Sequence, residues 1–343
     1  MKLNEIRIVP IKESLQVLDI SDEVYFGPKF KKYISNSSLS LINPAQGGSP
    51  QKYKEGLSAH PKFSDSLYFG SAVHQLILQS DDYFIVDSVN RPTAKAGFMA
   101  DELYKEWCET GKVSWDSMIK ASEKIDYYKG MMDSRKFDAL LGKIIPYFEE
   151  RNQFEQTEVS NAIPIYLDSK SRTKVRSCVE SLKANSEVRK LLHPEGLIED
   201  PKVNNETCIL LDVKAIYPDG NEKILSLKAK IDSYYFDEET NELVVNDLKT
   251  SGHTVDSFVN SFYAFRYFRQ FGMYSWLLYL LLGDKANSIK ANVIVSSTIP
   301  PFNCGIFKVF NTHIKRGLDE FKELLKRVAY HEQYGYNIEP PEL

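Results

Sequence analysis

The sequence predicts an α/β fold: a central mixed β-sheet built on an antiparallel meander, flanked by helices and carrying a helical insertion. Three observations predict it. Apolar residues recur at helical spacing from Ser66 to Leu192, alternation with turn signals takes over after Pro201, and helical patterning returns at Thr254. The 343 residues, 43% hydrophobic and 26% charged, suffice for one elaborate domain or two modest ones and exclude a disordered or collagen-like chain.

Taken in order, residues 1–35 read as an N-terminal arm with a short alternating piece at Ile6 to Ile11. Residues 36–343 read as one domain with a helical insertion at about 93–192 and a core at about 201–335. Ser37 or Ser38 can cap a short helix that Pro44 and the Gly47-Gly48 pair stop. The run SLYFGSAVHQLILQ sets Leu67, Phe69, Val73, Leu76 and Ile77 on one helical face. Further helical patterns lie near 95–110, 114–131, 134–150 and 171–192. Between residues 203 and 250 three strands are joined by turn signals at Pro218-Asp219-Gly220 and Asp237 to Asn241, which makes an antiparallel meander. A helical stretch at Thr254 to Leu282, strands at Ile289 to Ser297 and Gly305 to Phe310, and a helix from Asn311 to about Tyr334 complete the chain.

A formal charge of −4, from 43 basic and 47 acidic side chains, excludes a protein that coats nucleic acid by bulk charge. Cys108, Cys178, Cys208 and Cys304 form no CxxC or other tight pair, which argues against a zinc ribbon, a clustered iron–sulfur site or a disulfide scaffold. The longest apolar run, Met273 to Leu282 with Ser275 inside it, falls well short of the roughly 20 residues of a membrane span. The start, MKLNEIRIVPIKES, lacks an apolar signal core, so the expectation is a soluble cytoplasmic protein without a membrane partner.

Composition alone yields about six acidic-x-basic triplets, so Asp168/Lys170, Asp200/Lys202, Asp212/Lys214 and Glu320/Lys322 carry no message. Asp247/Lys249 differs by context. In LVVNDLKT the pair ends an apolar strand, and a period of two puts both side chains on one face. Asp232 lies near the end of the preceding strand, and Glu206 opens the strand before that. Asp232, Asp247 and the Leu248 carbonyl would offer the hard oxygen donors that Mg²⁺ or Mn²⁺ prefers, with Lys249 acting on the nucleophile or on developing phosphoryl charge. The set suits metal-assisted phosphodiester hydrolysis, and the same residues would also suit a half-exposed strand whose charges are solvated. His74, four residues after Gly70 on a helix, could complete a metal shell or be a satisfied half-buried residue. Gln270 and Tyr274 make an i, i+4 pair on the very apolar helix that follows the meander.

The order GxxxH, Asp, DxK, QxxxY resembles the RecB-like branch of the PD-(D/E)xK nuclease superfamily, and within it the phage and prophage exonucleases similar to the RecE (exodeoxyribonuclease VIII) C-terminal domain. The matching text is SNSSLSLINPAQGGSPQKY, LYFGSAVHQLIL, KAKIDSYY, LVVNDLKT and RQFGMYSWLL, across roughly residues 35 to 335. The resemblance implies a restriction-endonuclease-like core and Mg²⁺- or Mn²⁺-dependent exonucleolytic digestion of linear duplex DNA. It implies His74, Asp232 and Asp247 as metal ligands, Lys249 as the catalytic lysine, Gln270 and Tyr274 as residues lining the site, and Glu206 as a further acid near the metal. A single-strand annealing recombination protein and a second copy of the chain are the partners it implies besides DNA. Two departures stand out: Asn246 precedes the second acid where relatives often carry a hydrophobic or small residue, and KAKID lacks the usual proline. The cysteine positions do not fit the four-cysteine iron–sulfur cluster of some superfamily members, so no cluster is expected. Arg266, Arg269 and Lys230, with Lys228 beside them, are the candidate DNA contacts, and a second basic stretch runs through Lys29, Lys31, Lys32, Lys52 and Lys54. A restriction-like or structure-specific endonuclease and a catalytically silent binding module are the competing readings.

Overall fold

The computed structural model describes residues 2–58, 63–158, 160–194 and 203–337. The change of character at Pro201 and the Asp200/Lys202 triplet lie outside the described residues. The strands are β1 (Arg7–Pro10), β2 (Gln16–Leu18), β3 (Tyr83–Ile85), β4 (Ile163–Ile165), β5 (Asn204–Ile216), β6 (Glu222–Asp237), β7 (Glu242–Ser251), β8 (Ser288–Ser297) and β9 (Cys304–Val309). The helices are α1 (Asp22–Phe26), α2 (Asn36–Ser40), α3 (Pro50–Ser58), α4 (Asp65–Leu78), α5 (Ala94–Thr110), α6 (Trp115–Ile125), α7 (Ser134–Thr157), α8 (Ser169–Ala184), α9 (Ser186–Leu192), α10 (Phe258–Ala264), α11 (Tyr267–Leu282) and α12 (Asn311–Tyr334).

The chain divides into two compact units: Met1–Ala59, Asn185–Ser296 and Cys304–Leu343 form the first, and His60–Ala184 with Ser297–Asn303 the second. The first unit carries a sheet in the order β1-β5-β6-β7-β8-β9, with β2 also on β5. The expected meander is present, β5 pairing with β6 and β6 with β7, all antiparallel. The first residues, read as an arm, supply β1 and β2, both antiparallel to β5. From β7 the chain passes through α10 and α11 to β8. The Asn241–Asn287, Glu242–Ser288 and Asn246–Asn292 hydrogen bonds advance together along both strands, so this pair is parallel and the sheet is mixed.

Strand alternation sorts the two faces of β5. Ile209, Leu211, Val213 and Ala215 join the main core with Phe271 of α11 and Phe321 and Leu325 of α12, while Cys208 and Leu210 pack under Tyr25 and Phe30. Helices α11 and α12 touch backbone to backbone. A Cβ on Gly272 would lie 2.2 Å from the Leu318 nitrogen, and one on Gly317 would lie 1.9 Å from the Phe268 carbonyl oxygen, so only glycine fits either position.

Several long helical patterns end early for identifiable reasons. The stretch 254–282 breaks where Arg266 takes a left-handed conformation at φ 57°, giving α10 and α11. The pattern 114–131 stops at Asp126, also left-handed at φ 55°. The pattern 171–192 is two helices because Asn185 caps a new start, accepting from the Glu187 and Val188 amides. In the second unit α5, α6 and α7 share a core of Met99, Leu103, Met118, Ile144 and Phe148, and β3 pairs with β4 in parallel. Among the described residues no helix is long and apolar enough to cross a membrane.

Tyr217, just past β5, donates to the Ala329 carbonyl at 2.7 Å and ties the sheet to α12. Burial, then the neighbouring Tyr334 and acidic groups, push its phenol up to about 12. Below pH 10 the phenol is protonated in both the folded and the unfolded chain, and its contribution is complete. Above that the unfolded phenol ionises first, so stability is lost as pH rises from about 10 to 12. Urea midpoints across this range should fall less steeply for Tyr217→Phe than for the unmodified protein. Equal slopes would show that Tyr217 is not among the groups responsible.

Candidate active site

Three acids meet at one end of the meander because the register places them there. The β5–β6 ladder pairs Asn205 with Ser233 and Thr207 with Ile231, which sets Glu206 opposite Asp232. The β6–β7 ladder reaches Ser233–Asn246, which sets Asp247 one step further along, beside Asp232. Carboxylate oxygens of Glu206 and Asp232 lie within 4.8 Å of each other. Like charges facing across strands repel, and Glu206 also sits at a left-handed φ of 48°, a conformation that costs a non-glycine residue about 1–3 kcal/mol. Such a concentration of charge and strain is uncommon in a strand that serves only as scaffold.

Lys249 offsets part of this charge. Its Nζ lies 2.7 Å from Asp247 Oδ2 and 4.0 Å from Asp232 Oδ2, and its side chain is 18% exposed. Burial disfavours the ammonium, but Asp247 and then Asp232 outweigh it and hold the lysine pKa above its ordinary range. Beneath it lies the Tyr267 ring, 5.4 Å from Nζ.

Both acids are held from behind. Asp232 Oδ2 accepts the Leu248 amide at 2.8 Å. Asp247 is fully buried, and its Oδ1 accepts from Gln270 Nε2 at 2.8 Å. Gln270 Nε2 also donates to the Tyr274 hydroxyl at 2.7 Å, and that hydroxyl donates to the Lys230 carbonyl at 2.6 Å. Burial, then Asp247 and Asp232, push the Tyr274 phenol well above its ordinary pKa, which keeps it a donor. The i, i+4 pair read from sequence therefore clamps one carboxylate to the sheet. Asp247 Oδ2 is buried, and the Lys249 ammonium 2.7 Å away is its partner. A buried carboxylate oxygen left to one cation, a second carboxylate beside it and the Leu248 carbonyl make an all-oxygen donor set. That chemistry fits a divalent metal ion.

The remaining candidates are placed as follows. His74 lies half-buried on α4, in the second unit. Lys230 Nζ pairs with Glu206 Oε2 at 2.6 Å and with Asp22 of α1, so its charge is taken by carboxylates and not offered to a phosphate. Lys228 is buried and donates to the Tyr25 carbonyl at 2.8 Å. Arg266 keeps a partly exposed guanidinium 3.6 Å from Glu320. Arg269 departs from expectation: it is 0% exposed and donates to the side chains of Asn36, Ser40, Gln46 and Glu320 and to the Asn36 carbonyl. A phosphate cannot reach it, and it acts as an internal anchor between α2, α11 and α12.

Two residues that help build the site escape sequence reading. Tyr267 is one of many aromatics in its helix, and only its spacing three before Gln270 places it on the same side. Asn246, noted as a departure, is buried; its Nδ2 donates to the Leu191 carbonyl and its Oδ1 accepts from Asn292 Nδ2, both at 2.9 Å. It ties α9, β7 and β8 together immediately before Asp247.

No family model matches this chain, and no curated protein matches it. Among solved structures it is similar to the crystal structure of a proposed exonuclease from Eubacterium rectale, with a TM-score of 0.51, 12% identity, and coverage of 95% of this chain and 90% of that one. A protein from Vibrio cholerae also matches, at a TM-score of 0.18 and 12% identity over 81% of this chain and 58% of that one, and that likeness carries no argument. The two chains thus share a mixed α/β fold with a helix-flanked central sheet.

Proposed function

We propose that the chain is a metal-dependent deoxyribonuclease of the PD-(D/E)xK type that degrades linear duplex DNA from its ends. One observation carries the reading: a lysine ammonium 2.7 Å from one buried aspartate and 4.0 Å from a second, on two neighbouring strands. A scaffold has little use for this arrangement, since buried like charges cost stability. The similarity of fold to a proposed exonuclease supports the same class of chemistry.

Asp232, Asp247 and the Leu248 carbonyl would hold the cation, with Glu206 as a further acid nearby. When bound, a divalent cation polarises a phosphoryl oxygen and lowers the pKa of its water. The residues of the chain do the rest. The Leu248 amide fixes Asp232, and Gln270 and Tyr274 fix Asp247, so both acids are oriented before substrate arrives. Lys249, held protonated by its neighbours, places positive charge where negative charge develops on the phosphorus oxygens. His74 belongs to the proposed ligand set on its place in the motif order. The recombination role, the strand-annealing partner and oligomer formation rest on the motif order as well.

Incubation of linear and covalently closed duplex with the protein and Mg²⁺ tests the proposal. Linear DNA should be consumed, closed circles should persist, and chelator or Asp247→Ala should stop the reaction. Cutting of closed circles would make the protein an endonuclease. Linear DNA that survives with Mg²⁺ and with Mn²⁺ would overturn the nuclease reading.

A further inference from the structure

An aromatic ridge begins beside Lys249 and runs outward over α10 and the start of α12. Tyr267, under the Lys249 ammonium, has its ring 5.9 Å from that of Phe265, which is 58% exposed in the bend before α11. Tyr263 on α10 is fixed by a 3.0 Å hydrogen bond between its hydroxyl and His313 Nε2. The His313 ring lies 6.0 Å from that of Phe310, which caps α12 and is 64% exposed. Phe262 and Phe268, by contrast, are buried beneath the ridge and belong to the core. Exposing three large rings in one tract is costly to a soluble surface unless something covers them.

The charge around the ridge says what that is. Asp284 is the single acidic residue between Asp256 and Asp319, a tract that carries Arg266, Arg269, Lys285, Lys290, Lys308, Lys315 and Arg316 in a chain of net charge −4. Arg269 is buried, but Lys308, Lys315 and Arg316 are exposed, and Arg316 lies 4.8 Å from the Phe268 ring. Exposed rings within a cationic border are the device by which proteins hold unpaired nucleotides: bases stack on the rings while phosphates meet the cations.

We propose that Tyr263, Phe265 and Phe310 form a stacking platform for single-stranded DNA, with Lys308, Lys315 and Arg316 along its backbone, which guides one strand to or from Lys249. The substrate class rests on the nuclease reading, and the test keeps the two apart. Binding of the full chain to a fluorescein-labelled oligothymidylate of about 20 nucleotides is measured by anisotropy in chelator, where no cleavage occurs. Phe265→Ala and Phe310→Ala should each weaken binding by about tenfold, and Phe265→Trp should retain it. Lys315→Ala with Arg316→Ala should flatten the salt dependence. Affinity unchanged in the Phe265→Ala, Phe310→Ala double variant, at an unchanged melting temperature, would overturn the platform. So would a double variant that converts an oligomer to a monomer and still binds DNA, which would make the ridge an interface between copies. Ring-dependent binding by a protein that cleaves nothing with Mg²⁺ would support the platform and sink the nuclease reading alone.

Discussion

Lys249→Ala lowers single-turnover cleavage of linear duplex by about 10²–10³-fold, the cost of removing one preorganised charge from a site where negative charge develops. The expected loss follows from its position against Asp247 and Asp232, both of which it faces from a largely buried side chain. The substitution also leaves two carboxylates facing each other without a compensating cation. The metal-free variant should therefore unfold at lower urea concentration, and added Mg²⁺ should restore more stability to it than to the unmodified protein. Asp247→Asn gives the opposite pattern, because one of the two negative charges is gone and the lysine keeps Asp232 as its partner. A Lys249→Ala protein that cleaves at the unmodified rate would remove the lysine from the chemistry.

Arg269→Lys destabilises the protein by about 3–5 kcal/mol, although the substitution keeps the charge. The guanidinium reaches five acceptors on α2, on the segment around Gln46 and on α12, and a lysine ammonium cannot span that fork. Glu320, one-fifth exposed, and the carbonyl and amide oxygens of Asn36 and Gln46 would each lose a donor. Gln270 is the next residue, so the loss of this anchor should also slow cleavage by loosening the clamp on Asp247. A urea midpoint separates this account from a phosphate contact: a DNA-binding arginine would leave the midpoint in place and weaken only binding.

Much of this was legible in the residues. The meander from β5 to β7, strands β8 and β9 and helix α12 are where alternation, turn signals and helical spacing place them, because apolar runs bounded by turn residues mark the strands and α12 buries one face at helical spacing. The convergence of Asp232, Asp247 and Lys249 was also readable, since a hairpin and a period of two fix it. Arg269 was misread for a physical reason. Sequence shows a basic residue flanking an aromatic helix, but only the packing of α2 and α12 decides whether it faces water or the five acceptors. The break at Arg266 was likewise invisible, since a left-handed turn at an arginine has no local signature of the kind glycine or asparagine gives. Asn246 was seen only as a departure from a pattern, and its partners Leu191 and Asn292 lie 55 and 46 residues away in sequence.

That amide has a consequence for how the sheet comes together. A slip of β7 by one residue against β8 would turn Asp247 and Lys249 to the opposite face while leaving an apolar strand that still packs. It would also strand Asn246 and Asn292, two polar groups with almost no exposed surface, without each other. A buried amide pair therefore acts as a gauge of correct assembly. The misaligned sheet carries an unmet donor and an unmet acceptor, and the aligned one delivers the acids to their working positions.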